Sequence, residues 1–323
     1  MTGREAAKRT LRMQTPDRYA KNFPEPFGSD FVWTNLTPSP DRRPRKGVDD
    51  WGCEWDNIGE MQLGEVKDSP LKDWDDFGKL PIPDISAPEK WANVNDARAG
   101  AGDKYIHGGL ISMYERVHFV RGLENVWCDI RECPDNLRMF VGLIADLNVA
   151  IIGEYAKHDI DSVFFCDDWG LQDRLMINPV DWRAIWKPFY KKVFDAAHAA
   201  SLDVWMHSCG YITDILGDLI EIGLDAVHMD QQENMGLENL GRLFKGKITF
   251  HAPVDIQQTM VRGAPDEIRA YCRRMAEAFG TNEGGFIPCC YSDPVGAGHT
   301  RENIEIMCGE FLRISDEIYG AKI

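Results

Sequence analysis

Ser162-Val163-Phe164-Phe165-Cys166 runs into Asp167-Asp168-Trp169-Gly170, and further along Val204-Trp205-Met206 runs into His207-Ser208-Cys209-Gly210. Each is a short apolar run that stops at polar groups and a glycine, the pattern of a buried parallel strand and its loop. Between them, Pro179 to Ala200 has the length and spacing of a helix. The alternation continues outward. Candidate strands are Tyr105 to Leu110, Ala226 to Met229, Ile248 to His251 and Gly285 to Pro288. Candidate helices are Pro134 to Lys157, Ile212 to Ile222, Glu238 to Phe244, Pro265 to Phe279 and Arg301 to Tyr319. Such alternation predicts an α/β fold, a parallel sheet wrapped by helices. A closed (β/α)8 TIM barrel needs two more strands from the first hundred residues, and an open doubly wound sheet is the rival. Either gathers its chemistry at the carboxyl ends of the strands.

From Asn22 to about Asp84 the texture differs, rich in Pro, Asp and Trp, as in Phe23-Pro24-Glu25-Pro26 and Pro81-Ile82-Pro83-Asp84. Trp33, Trp51, Trp55 and Trp74 supply apolar anchors that a disordered linker lacks, which predicts an ordered but irregular N-terminal cap. Residues 1–323 then form a single barrel domain, with the cap inside 1–104.

Composition narrows the partners. With 36 Lys plus Arg against 52 Asp plus Glu, the net charge of -16 disfavours nucleic acid and anionic membranes. No apolar run approaches the roughly 20 residues of a membrane helix, and Arg4, Glu5, Lys8 and Arg9 interrupt any signal-peptide core. The expectation is a cytoplasmic protein that acts on a small molecule or another protein. The nine cysteines are odd in number and scattered, which argues against a disulfide framework.

Polar clusters at the strand ends carry the candidate chemistry. His207 and Cys209, two apart, can point to one face of an extended chain, and zinc takes imidazole and thiolate together, with three protein ligands and one open position at catalytic sites. Cys289 or Cys290, in Pro288-Cys289-Cys290-Tyr291, offers a third ligand from another strand end. The alternative for the pair is a buried histidine beside a core cysteine. Adjacent Asp167 and Asp168 point to opposite faces, so one enters the mouth while the other caps a loop or helix; Asp168 is the catalytic candidate and Asp167 a substrate contact. Trp169 is either an aromatic wall for substrate or simple packing. Asp230 is a second catalytic carboxylate or a helix cap. His251 is a substrate contact or a satisfied core histidine. No Gly-x-Ser-x-Gly elbow is present, and Gly296-Ala297-Gly298 lacks the Lys-Ser/Thr of a phosphate loop.

Val163 to Tyr319 resembles the uroporphyrinogen decarboxylase superfamily. Phe164-Phe165-Cys166-Asp167-Asp168-Trp169-Gly170 is similar to that family's strand and Asp-Asp-x-Gly loop, Trp186-Lys187-Pro188-Phe189-Tyr190 to its next helix, and Arg9 to Arg18 to its opening helix and Pro-Asp-Arg turn. Within it, His207-x-Cys209 with a distant cysteine resembles the zinc site of corrinoid-dependent methyltransferases, although Pro288-Cys289-Cys290-Tyr291 replaces their Pro-Gly-Cys-Gly. The resemblance implies a zinc enzyme that moves a methyl group between a small molecule, an aromatic methyl ether of the O-demethylase type, and the corrinoid (cobalamin) of a partner protein. Asp168 and Asp230 would orient substrate or pass a proton. Two alternatives stand beside it: a metal-free decarboxylase, for which the Arg-Gln-Ala-Gly-Arg motif of true decarboxylases is missing, and a non-catalytic corrinoid-protein docking partner.

Overall fold

The computed structural model describes residues 1–57 and 64–320. In chain order the strands are β1 (Phe31–Thr34), β2 (Gly47–Val48), β3 (Glu54–Asp56), β4 (Glu65–Asp68), β5 (Tyr105–Gly109), β6 (Ser162–Cys166), β7 (Asp203–His207), β8 (Ala226–His228), β9 (Thr249–Ala252) and β10 (Phe286–Pro288). Seven of them form one sheet in the order β1-β5-β6-β7-β8-β9-β10, and every pair is parallel. Each strand is laid beside its predecessor and the order never reverses. A doubly wound sheet has a reversal at its switch point, so the rival architecture is set aside. The sheet is a curled, barrel-like one.

Of the two strands missing from the sequence reading, β1 is one. Among the described residues no second strand from the first hundred joins the sheet, and only isolated bridges stand in its place. Asn22 bridges Cys289 in parallel and Ser29 in antiparallel fashion, receiving a hydrogen bond from Cys290 N and donating one to Pro288 O at 3.0 and 3.1 Å. Pro24 and Pro26 follow at once, and a residue without an N–H cannot extend a ladder.

Five of the expected strand positions shift by a residue at one or both ends, and Ser162–Cys166 stands unchanged. The expected helix over Pro179 to Ala200 is two helices, Pro179–Ile185 and Lys187–Ala199, because Pro188 removes a backbone donor at the junction. Helices Glu115–Arg121 and Leu123–Glu132 were not read from the sequence. Pro134–Tyr155 corrects the membrane-length reading, since its best window has a mean hydropathy of 1.4 with length and composition sufficient to cross a bilayer. Leu137, Phe140, Val141, Ile144 and Ile151 on its inner face belong to the core of this domain. Its one fully buried amide, Asn148, is satisfied by Ile111 N and O, both at 2.8 Å.

The cap is more regular than expected, because β2, β3 and β4 form an antiparallel sheet. Trp51 and Trp55 are buried as anchors, whereas Trp33 is 49% exposed. Arg116, fully buried on the helix Glu115–Arg121, donates to Asp49 Oδ2 at 2.6 Å and Asp41 Oδ1 at 3.0 Å. Arg43 grips both oxygens of Glu115 at 3.0 and 2.9 Å. These charge-assisted bonds fasten the cap beside the strand ends.

Candidate metal-ligating site at the strand ends

Register creates the site. His207, His228 and His251 are Cα partners across β7, β8 and β9, and their rings follow one another at 4.8 and 4.7 Å between centroids. His207 and His228 meet Nδ1 to Nδ1 at 2.7 Å, a gap that holds one ring proton. On its other side, His207 Nε2 lies 3.2 Å from Cys209 Sγ and 3.4 Å from Asp168 Oδ1. His228 Nε2 lies 3.8 Å from Cys289 Sγ and 3.6 Å from Asp230 Oδ1.

Two interlocked loops hold this row. Asp168 Oδ1 accepts from Cys209 N at 2.8 Å and Gly170 N donates to Cys209 O at 3.2 Å. Gly210 has φ +73° and a Cβ there would stand 2.3 Å from Gly170 O. Only glycine tolerates both the left-handed backbone and that approach.

Charge follows geometry. Burial opposes ionisation of Asp168, but the hydrogen bond and charge of His207 and the Cys209 amide overcome it and hold the carboxyl near 2. His207 is raised well above the usual histidine range, because Asp168 and Cys209 outweigh the burial that would lower it. His228 and His251 are pushed down, by burial first and then by neighbouring imidazoles. Burial raises Asp230 and Cys289.

The other residues singled out in the sequence fall into place as follows. Asp167 faces away from the row, accepting from Met113 N, Tyr114 N, Glu115 N and Tyr190 Oη at 2.9, 2.7, 3.0 and 2.6 Å. It caps the turn that opens Glu115–Arg121. Trp169 is fully buried, stacked on Tyr114 at 3.9 Å, and donates to Tyr190 Oη at 3.0 Å. Cys290 turns to Cys308, Sγ to Sγ 3.7 Å, and among the described residues it joins none of the donor groups. The sequence reading missed His228. It lies inside the expected strand Ala226 to Met229 and beside Asp230, but its importance depends on register, which one strand cannot reveal.

Three overlapping sets of donor atoms, each within 4.8 Å, are present: Asp168, His207 and Cys209; His207, His228 and Asp230; His228, His251 and Cys289. The donor chemistry suits a borderline-soft cation. Asp230 Oδ1 and both ring nitrogens of His251 are buried without a hydrogen-bond partner, as atoms reserved for a ligand would be. Beside Asp168 opens a cleft of about 480 Å³ lined by Arg43, Trp55, Glu115, His118 and Phe119. Burial raises Glu115 to about 8 against the pull of Arg43.

Fold and site together define an α/β protein of the curled parallel-sheet class with a metal-competent row at its strand ends. The chain belongs to the uroporphyrinogen decarboxylase (URO-D) family, whose sequence profile matches residues 64–290. Among solved structures it is similar to a methyltransferase from Methanosarcina mazei, at 15% identity and a TM-score of 0.72, over 99% of each chain. It is also similar to L-ribulose 3-epimerase (12% identity, TM-score 0.44, 72% of this chain and 84% of that one) and to D-psicose 3-epimerase from Clostridium cellulolyticum H10 (12%, TM-score 0.43, 70% and 83%). These last two are too loose to bear on function. No curated protein matches the sequence significantly.

Proposed function

We propose that this URO-D protein is a cytoplasmic, zinc-dependent methyltransferase that moves a methyl group between a methylated small molecule, an aromatic methyl ether, and the corrinoid of a partner protein. The observation that carries the reading is the His207, Cys209 and Asp168 set, with Nε2 and Sγ 3.2 Å apart at the mouth. The full-length likeness to a methyltransferase fold supports it. His207 and Cys209 would hold the ion, with Asp168 completing the protein ligands; Cys289, the third ligand expected from the sequence, lies with His228 and His251 instead. A zinc ion there supplies Lewis acidity, which stabilises negative charge developing on the heteroatom as its methyl group departs. Asp168, engaged by Cys209 N and His207, orients the imidazole and thiol. Asp230, whose Oδ1 has no hydrogen-bond partner, is the carboxylate left to orient substrate or pass a proton. Trp55 and Phe119 in the cleft offer apolar faces to an aromatic ring. Among the described residues the cleft lining carries one cation, Arg43, already paired with Glu115. That disfavours a polyanionic decarboxylase substrate, which needs clustered free cations.

The test compares His207→Ala with wild type for zinc content, thermal melting and methyl transfer from an aromatic methyl ether to a reduced corrinoid protein. The variant should lose about one zinc per chain, fall to background transfer, and melt within a few degrees of wild type because stability resides mainly in the barrel interior and opposite face. Active wild-type protein free of metal, or full activity in the variant, overturns the proposal.

A further inference from the structure

We infer that His228, His251 and Cys289 form a second, buried site for a soft divalent cation, distinct from the His207, Cys209 and Asp168 set. The inference extends the metal reading of the mouth, and the two can fail separately. Nε or Nδ of the two histidines and Sγ of Cys289 lie within 4.8 Å of one another. They arrive from three consecutive strands, β8, β9 and the end of β10. His251 is 2% exposed with both ring nitrogens unpartnered. A buried imidazole with no hydrogen bond loses the interactions its nitrogens had with water on folding, a cost that a cation relieves. Phe31 and Trp205 pack against the His251 ring at 6.0 and 5.4 Å, and the His228 ring lies 4.7 Å away, centroid to centroid.

The Nδ1 to Nδ1 contact divides the row into two nests. His207 presents Nε2 to Cys209 and Asp168, while His228 presents Nε2 to Cys289 and Asp230. With Cys289 in the inner nest, Asp168 completes the outer one. His207 and His228 meet at the Nδ1 contact, so filling one nest bears on the other and the two occupancies are linked.

The experiment strips the full chain with a chelator and titrates it with Co(II) and, separately, Zn(II), reading bound metal per chain and thiolate-to-cobalt absorption. Wild type should take up about two equivalents in two steps, the count for two catalytic-type sites. His251→Ala should lose one step and keep the other, Cys209→Ser should lose the opposite one, and Cys289→Ser should lose the thiolate absorption of the inner step. Melting curves accompany each variant, and His251→Gln replaces His251→Ala if the latter does not fold. Saturation of wild type at one equivalent, undiminished in the His251 variant, overturns the inner site and leaves the mouth reading standing. One equivalent that His251→Ala removes and Cys209→Ser retains supports the inner site and sinks the mouth reading. No bound metal at all removes both.

Discussion

Asp167 separates a supporting role from a substrate-binding one, and its replacement by alanine has a magnitude that the structure allows to be worked out. Its carboxylate receives three backbone N–H groups and the Tyr190 hydroxyl, and is fully buried. Burial raises it to about 6, with Tyr190 and the three amides pulling the other way, so it is mostly ionised at pH 7. Hydrogen bonds to a charged acceptor contribute about 1.5–3 kcal/mol each, and donors left unsatisfied cost about 1–3 kcal/mol. Four such bonds sum to about 8 kcal/mol; relief of the buried charge and entry of water return about half, leaving about 4 kcal/mol. At about 2.1 cal/mol/K per residue of unfolding entropy, a chain of this length loses about 6 °C of Tm. The assay is thermal unfolding by circular dichroism beside zinc content and methyl transfer. A melting shift below about 2 °C together with abolished transfer would refute the reasoning and return Asp167 to the substrate.

Three further outcomes are expected. Cys290→Ala should leave zinc content unchanged, because its thiol faces Cys308; metal loss in this variant contradicts the assignment of Cys289. Gly210→Ala should lower both Tm and zinc content, since a left-handed alanine costs about 1–2 kcal/mol before its clash with Gly170 O is counted; a wild-type Tm argues against the interlocked loops. Asp161, whose side chain is buried, binds Arg4, Lys8 and Arg98 at 2.7, 2.6 and 2.8 Å; burial would raise its pKa, but Lys8, the Ile106 amide and Arg4 depress it. A depressed folded pKa means stability present above the unfolded value near 3.9 and lost as pH falls through the folded one. Asp161→Asn should therefore cost about 2 kcal/mol at pH 7, with the gap from wild type narrowing below about pH 4; a gap independent of pH counts against the ion pairs.

The alternation of apolar runs and helical spacing was enough to read six parallel strands and the level at which the chemistry collects, because hydrophobic periodicity is local and each strand end announces itself in polar residues and glycine. It was also enough to single out Asp168, His207, Cys209 and Asp230, which follow three such runs, with His207 and Cys209 sharing one. Tertiary structure decided the rest. The choice between a curled sheet and a doubly wound one is a matter of strand order, and adjacency between segments far apart in sequence leaves no local mark. Which of two neighbouring aspartates, and which of two neighbouring cysteines, faces the site depended on Met113, Tyr190 and Cys308, contacts from distant elements. His228 gained its importance only when β7, β8 and β9 came into register and set three imidazoles in a row. A residue's chemistry is written in its own chain segment, but its partners are set by pairing across segments, and pairing is settled by the burial of the whole core.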